Sequence, residues 1–385
     1  MFVELHMIQS FAPSNLNRDD TNNPKDCEFG GARRARISSQ CIKRAIRRAP
    51  VFAETTGVEN GTRTRLMARR LQARLLEAGK PEDQVTAVVE AFTQSYADKD
   101  FTQSDAKKAK KIEKGRTNVL IYLSAEEVRQ IVDALLKDWD AALREAKSTA
   151  PFKATVKELV KQTKARTSAP DIALFGRMLA DRPETNIDAA CQVAHAISTH
   201  RVTMEMDFFT AVDDLQQEAE PGAGMINFIG FNSACFYRYA RIDWDQLVTN
   251  LDGDAALARR TVEAFLKAAN EAIPTGKQNS FAAQNPPSFL LAVVRASGMS
   301  GSLANAFETP VRPARDGGLV APSVSALDAY WGRLATVYGA DSIVRVAALA
   351  VDPGIQLNSL KDAALPNFQV WLDAVVSALP QEATA

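Results

Sequence analysis

The chain of 385 residues carries 46 Lys and Arg against 46 Asp and Glu, with 46% hydrophobic and 24% charged residues. This composition excludes a disordered, collagen-like or coiled-coil protein and leaves room for two or three folding units. No apolar run reaches the roughly 18 residues of a membrane span, and residues 1–9 lack the basic and apolar regions of a secretion signal, so a cytoplasmic location is expected. Charge is unevenly placed: residues 201–385 hold 13 basic and 20 acidic residues, leaving 33 and 26 to residues 1–200. Such asymmetry points to a polyanion partner, or to an acidic half that meets the basic half of another copy.

Val3, Leu5 and Met7 alternate with Glu4 and His6, the pattern of a half-buried opening strand. Residues 12–31 are rich in Pro, Asn, Asp and Gly and read as a long polar loop, of a length that often carries function. Ser38 and Ser39 are N-cap candidates for a short helix over residues 41–48, with Ile42, Ala45 and Ile46 as its apolar stripe. Residues 62–92 and 125–165 have helical spacing, so residues 55–190 read as a mainly helical insertion, with a basic segment at Lys107, Lys108, Lys110 and Lys111 between the two runs. Residues 191–201 suit a strand. Residues 202–233, acidic and then glycine-containing, suit a protruding hairpin or mobile loop. Alternation resumes over 234–241, a helix is expected over 254–273, and a further strand over 287–296. This order is compatible with a ferredoxin-like, RRM-type βαββαβ core and an α+β fold class.

Residues 275–278 lack the upstream glycine and following hydroxyl of a phosphate loop, and residues 298–302 are one position short of a nucleophile elbow. Four scattered cysteines and three histidines have no zinc-site spacing, so no metal or other cofactor is expected. Asp19-Asp20 and Asp213-Asp214, with His200 as acid or base, are candidates for a metal-dependent nuclease, although aspartates in polar loops more often make turn hydrogen bonds. The strongest signal is basic. Arg33, Arg34, Arg36, Lys43, Arg44, Arg47 and Arg48 fall within 16 residues that contain no acid. Lys43/Arg47 and Arg44/Arg48 stack like charges at i,i+4, a repulsion that bound phosphates would offset. Tyr237 and Tyr239 lack the RNP signature of base-stacking sheets and fit core packing better. Phe208 and Phe209 are apolar in a polar stretch and want a partner.

Several strings resemble the CasC-type backbone subunit of the type I-E CRISPR Cascade surveillance complex: Leu16-Asn17-Arg18-Asp19-Asp20, Phe29-Gly30-Gly31, Arg36-Ile37-Ser38-Ser39-Gln40, Lys43-Arg44-Ala45, Ala194-His195-Ala196-Ile197, Phe209-Thr210-Ala211-Val212-Asp213-Asp214-Leu215 and Phe236-Tyr237-Arg238-Tyr239-Ala240. The helical insertion matches poorly. The resemblance implies an RRM-like palm (residues 1–54, 191–201 and 234–385), helical fingers (55–190) and a thumb (202–233). It also implies copies stacked head to tail on one CRISPR RNA, alongside other Cascade subunits and target DNA paired to the guide. By the same resemblance Arg18, Lys25, Ser38, Gln40, Lys43, Arg44 and Arg47 would grip the RNA backbone, while Met178, Phe209 and Thr210 would interrupt the base stack. Lys107, Lys108, Lys110 and Lys111 would contact target DNA, from their charge and position. No catalytic role is expected of the chain. The main alternative is an RNA endonuclease like the related type III backbone subunits, with Asp19 and Asp20 as the residues to watch; a helical protein-interaction module is a third reading, weakened by the basic helix.

Overall fold

The structure, a computed structural model, describes residues 1–102, 115–163, 166–211 and 225–381. The described strands are β1 (Phe2–Ser14), β2 (Asp26–Phe29), β3 (Ala32–Ile37), β4 (Thr62–Thr64), β5 (Ile121–Leu123), β6 (Cys191–Val193), β7 (Ala196–Ser198), β8 (Glu205–Ala211), β9 (Met225–Asp243), β10 (Phe289–Arg295) and β11 (Ile343–Ala350). The described helices are α1 (Ser39–Arg48), α2 (Pro50–Thr56), α3 (Met67–Glu77), α4 (Glu82–Ala97), α5 (Ala125–Lys137), α6 (Trp139–Ala146), α7 (Lys153–Thr163), α8 (Pro170–Phe175), α9 (Trp244–Asn250), α10 (Ala255–Glu271), α11 (Gln278–Phe281), α12 (Val320–Tyr338) and α13 (Phe368–Val376). Helices and antiparallel strands make this an α+β protein. None of the described helices is long and apolar enough to cross a membrane.

Two compact units are present. The first comprises Met1–Phe52, Cys191–Asp243 and Val262–Pro380; the second comprises Ala53–Ala190 and Trp244–Thr261. In the first unit nine strands form one sheet in the order β11-β10-β1-β9-β7-β3-β2, with β6 and β8 also paired to β9. On one face Ile42 and Ile46 of α1 meet Leu5, Met7 and Ala240 of the sheet, together with Phe265 and Ala269 of α10. On the other face Ile8, Tyr237, Leu291 and Val293 pack under Leu303, Phe307, Val324, Leu327 and Trp331.

That second layer corrects the reading of β1. Its alternation predicts a strand wet on one side, yet Glu4 and His6 are fully buried, because the strand lies between β9 and β10 and is covered above and below. Glu4 accepts from Arg295 Nε at 2.8 Å and from the Gly301 N–H at 2.6 Å, and His6 Nδ1 lies 2.9 Å from the Tyr237 hydroxyl, whereas the buried His6 Nε2 has no hydrogen-bond partner among the described residues. Tyr237 is core, as its sequence context suggests; its hydroxyl accepts from the Leu303 N–H at 2.8 Å.

The long loop expected over residues 12–31 is partly strand. Hydrogen-bonded pairing continues β1 to Ser14, and β2 and β3 form a hairpin turning at Gly30 and Gly31, both at positive φ. A Cβ on Gly30 would stand 1.8 Å from the Glu308 carbonyl oxygen, so only glycine fits that turn.

The second unit is built on the helical core of Leu71, Leu75, Val88, Phe92, Val128, Ile131, Leu135, Phe152 and Val156. The single helix expected over 62–92 is instead β4, α3 and α4. The break falls at Gly79, at positive φ, and at Pro81, whose ring suits a helix start. The run over 125–165 divides into α5, α6 and α7, because Asp138 Oδ1 caps α6 by accepting the Ala141 N–H at 2.9 Å.

Candidate nucleic-acid interface

Helix α1 is fixed from its buried side and presents its cations outward. Ile42 and Ile46 are buried, Ser38 Oγ accepts the Cys41 N–H at 3.3 Å, and Asn17 Oδ1 accepts the Ser38 N–H at 2.8 Å. Ser38 is therefore a buried cap whose oxygen already holds one free helix-end donor. Gln40 and Arg44 are exposed, while Lys43 and Arg47 are half-buried. The helix has no acid in its first turn and Arg47 and Arg48 in its last, where they favour the negative end of the helix dipole.

The loop before the β2–β3 hairpin is held beside this helix. The Lys25 N–H donates to the Asn17 carbonyl at 2.9 Å, the Arg36 N–H donates to the Lys25 carbonyl at 2.9 Å, and Arg18 pairs with Pro24. Arg36 Nη1 lies 3.1 Å from His195 Nδ1. The electrostatics show which charges converge. Burial, then Arg36, then Lys25 lower the pKa of exposed His195. Burial raises the Cys41 thiol, against the opposing pull of Arg44 and Lys25, and burial pushes Cys191 up to about 12, against Lys43. Lys25 thus lies near both Arg36, at His195, and Arg44, at Cys41, while the charge of Lys43 acts at Cys191. Arg36 belongs to the basic series expected from the sequence; His195 is not among the expected site residues, although it lies in a string that carries the family resemblance.

Not every arginine of the basic series belongs to it. Arg34 is fully buried: its guanidinium donates to the carbonyls of Phe29 (3.2 Å), Ser198 (3.1 Å), Phe307 (2.8 Å) and Glu308 (3.1 Å). It ties the β2–β3 hairpin to the C-terminal layer, which corrects its inclusion among the phosphate-facing cations. Arg33 is paired with Asp26 at 2.6 Å.

Asp19 shapes the loop. Its Oδ1 accepts the Thr21 N–H and hydroxyl at 2.9 and 2.8 Å and the Asn23 N–H at 2.9 Å. The Thr21 hydroxyl is the main cause of an Asp19 pKa below the ordinary carboxylate value. His200 is buried with both ring nitrogens engaged, Nδ1 with the Arg201 carbonyl and Nε2 with the Cys235 N–H. Among the described residues no group of three His, Cys, Asp or Glu side chains is placed to hold a metal ion. Asp213 and Asp214 lie outside the described residues, as do Lys107, Lys108, Lys110 and Lys111.

Residues 205–211 pair in register with 225–231 as a hairpin, Phe208 opposite Phe228 and Phe209 opposite Asn227. Neighbouring residues point to opposite faces. Phe208 and Phe228 are 55% and 59% exposed with ring centroids 5.3 Å apart, beside exposed Met204 and Met206. Phe209 is half-buried on the other face, and Thr210 pairs in register with Ile226. At the hairpin's base Asn15 Nδ2 donates to the Gly230 carbonyl at 2.8 Å and to the Asn22 carbonyl at 3.1 Å, joining it to the loop of Arg18 and Lys25. The Phe208–Phe228 pair was legible only in part, since Phe228 acquires its role through strand register. Met178, in the helical unit, is 81% exposed, more than any other large hydrophobic residue among those described.

A sheet unit carrying an acid-free basic helix beside a hairpin with exposed aromatics has the features of a nucleic-acid-binding protein. The family model of the CT1975-like proteins matches residues 3–377, and the chain belongs to that family. Two solved structures resemble it over nearly the whole length. A chain of a CRISPR RNA-guided surveillance complex in a pre-nicking state is 34% identical at a TM-score of 0.86, covering 98% of this chain and 100% of that one. A chain of another CRISPR RNA-guided surveillance complex is 28% identical at a TM-score of 0.76, with the same coverage. The kinship expected from the sequence strings is borne out at this level. Among curated proteins, none matches the chain.

Proposed function

We propose that the chain is a backbone subunit of a type I-E CRISPR Cascade complex: it binds CRISPR RNA, stacks head to tail with further copies along it, and leaves guide bases open to pair with target DNA. The observation that carries this reading is that Lys25, from the loop, and Arg44, from α1, both act at Cys41 on a helix that holds four cations and no carboxylate. Cations so placed neutralise phosphates and fix the register of a strand without reading its sequence, which leaves sequence reading to base pairing. The run β10-β1-β9-β7, with α1 and α10 on one face, supports an RRM-like palm. The hairpin of β8 and β9 fits a thumb and the helical unit fits fingers. The face opposite α1 is covered, so this sheet does not offer the open stacking platform of an RNA-binding RRM; the strand would run over α1 and the loop of residues 17–25.

In this reading the chain holds the guide and does not cut it, works in the cytoplasm, and takes no cofactor. The test is purification of the tagged protein from its host under low salt, followed by extraction and sizing of nucleic acid. A discrete RNA of fixed length, sensitive to ribonuclease and lost at high salt, is expected. Recovery of protein free of nucleic acid, or with RNA of random length, would refute the reading.

A further inference from the structure

Met178 is an apolar side chain in water on a backbone that is not free to move. Arg177 pairs antiparallel with Ile187: the Arg177 N–H donates to the Ile187 carbonyl at 3.0 Å, and the Ile187 N–H donates to the Arg177 carbonyl at 2.9 Å. One residue beyond Met178, the Leu179 N–H donates to Asn186 Oδ1 at 2.8 Å, and the Leu179 side chain is buried in the helical core. Gly176 sits at φ 77°, with space for a Cβ closed by the Ile187 carbonyl oxygen at 2.9 Å.

The Arg177 side chain is anchored more strongly still. Nε donates to the Thr185 carbonyl at 2.9 Å, and Nη1 donates to the Tyr122 carbonyl at 3.1 Å and to Glu127 Oε1 at 2.7 Å. Glu127 is itself fixed, because its other oxygen accepts the Ser124 N–H at 2.8 Å while Ser124 Oγ accepts the Glu127 N–H at 3.0 Å, a capping box at the start of α5. Met178 is thus the one exposed residue between two buried neighbours, each tied down by a separate hydrogen bond. A flexible side chain on a rigid frame loses little backbone freedom when it meets a partner.

We propose that Arg177 and Asn186 are positioning residues that hold Met178 in the attitude in which it meets the guide RNA. This rests on the reading that Met178 contacts the RNA, and the experiment separates the two. The protein–RNA complex is isolated with Met178→Ala, Asn186→Ala or Asn186→Asp, and the reactivity of guide nucleotides to a chemical probe is read along the RNA beside each protein's thermal midpoint. Met178→Ala is expected to alter the periodic pattern. Asn186→Ala is expected to alter the same nucleotides and to weaken RNA retention by roughly 5- to 30-fold, the effect of freeing one backbone residue. Asn186→Asp, whose carboxylate still accepts the Leu179 N–H, is expected to restore the pattern. An altered pattern in Met178→Ala with a wild-type one in Asn186→Ala would overturn the positioning role; an unaltered pattern in Met178→Ala would overturn the RNA contact instead. Should Asn186→Ala not fold, Arg177→Lys decides in its place. It keeps the charge beside Glu127 but cannot fork to the Thr185 and Tyr122 carbonyls, so an altered pattern supports positioning and a wild-type pattern overturns it.

Discussion

Replacing Lys43, Arg44 and Arg47 together by Ala tests the RNA interface. The helix is held by Ile42 and Ile46, whose burial contributes about 1.5–3 kcal/mol each, and by the Ser38 cap at about 1 kcal/mol. None of these is touched, alanine is the better helix former, and the like-charge pairs at i,i+4 disappear. A thermal scan alongside confirms that the variant is folded. RNA binding should change in its salt dependence. Each phosphate left without its cation takes about 0.7 off the log–log slope, so removing all three cations takes off about 2. Between 50 and 200 mM salt the wild type should lose ~20-fold more affinity than the variant, on the same relation. Filter binding or anisotropy with single-stranded RNA across that range measures it. An unchanged slope in a folded variant would refute the assignment of α1 to the RNA.

Arg34→Met should behave oppositely: it strips charged donors from four carbonyls, with the bonds to Ser198 and Phe307 fully buried, so a loss of about 3 kcal/mol in chemical denaturation is expected, with an unchanged salt slope for the protein that remains folded. A Tm equal to wild type would show that the arginine does not brace the hairpin. His6 is held neutral, its pKa pushed down to about 3 by burial, with Arg295 adding to the effect. The unfolded chain takes up that proton at about 6.5, so stability should fall as pH drops from 6.5 towards 3, by at most about 1.4 kcal/mol per pH unit. His6→Gln should flatten that part of a Tm-against-pH curve; an equally steep curve would remove His6 as the cause. Asp19, bound into its turn, is expected to take no part in strand cleavage: labelled RNA with magnesium or manganese should stay intact. Turnover abolished by Asp19→Ala or Asp20→Ala would instead establish the nuclease reading.

Local pattern was enough for the parts of this protein that rest on short-range chemistry. The opening strand, the cap and apolar stripe of α1, its acid-free cations and the strands near residues 234–241 and 289–295 follow from periodicity, capping and charge, which act within a few residues of chain. What lay beyond the sequence depended on distant segments. Arg34 and Arg44 look alike in a basic run; only the approach of Ser198, Phe307 and Glu308 makes one a buried brace and leaves the other in solvent. Glu4 and His6 read as solvent-facing until residues 303–331 cover them. Phe228 becomes the neighbour of Phe208 through strand register, and the residues on either side of Met178 are held by Asn186 and Glu127. Periodicity reports whether a side chain wants burial, whereas the partner that satisfies a buried charge or braces the residues beside an exposed methionine is chosen by long-range packing.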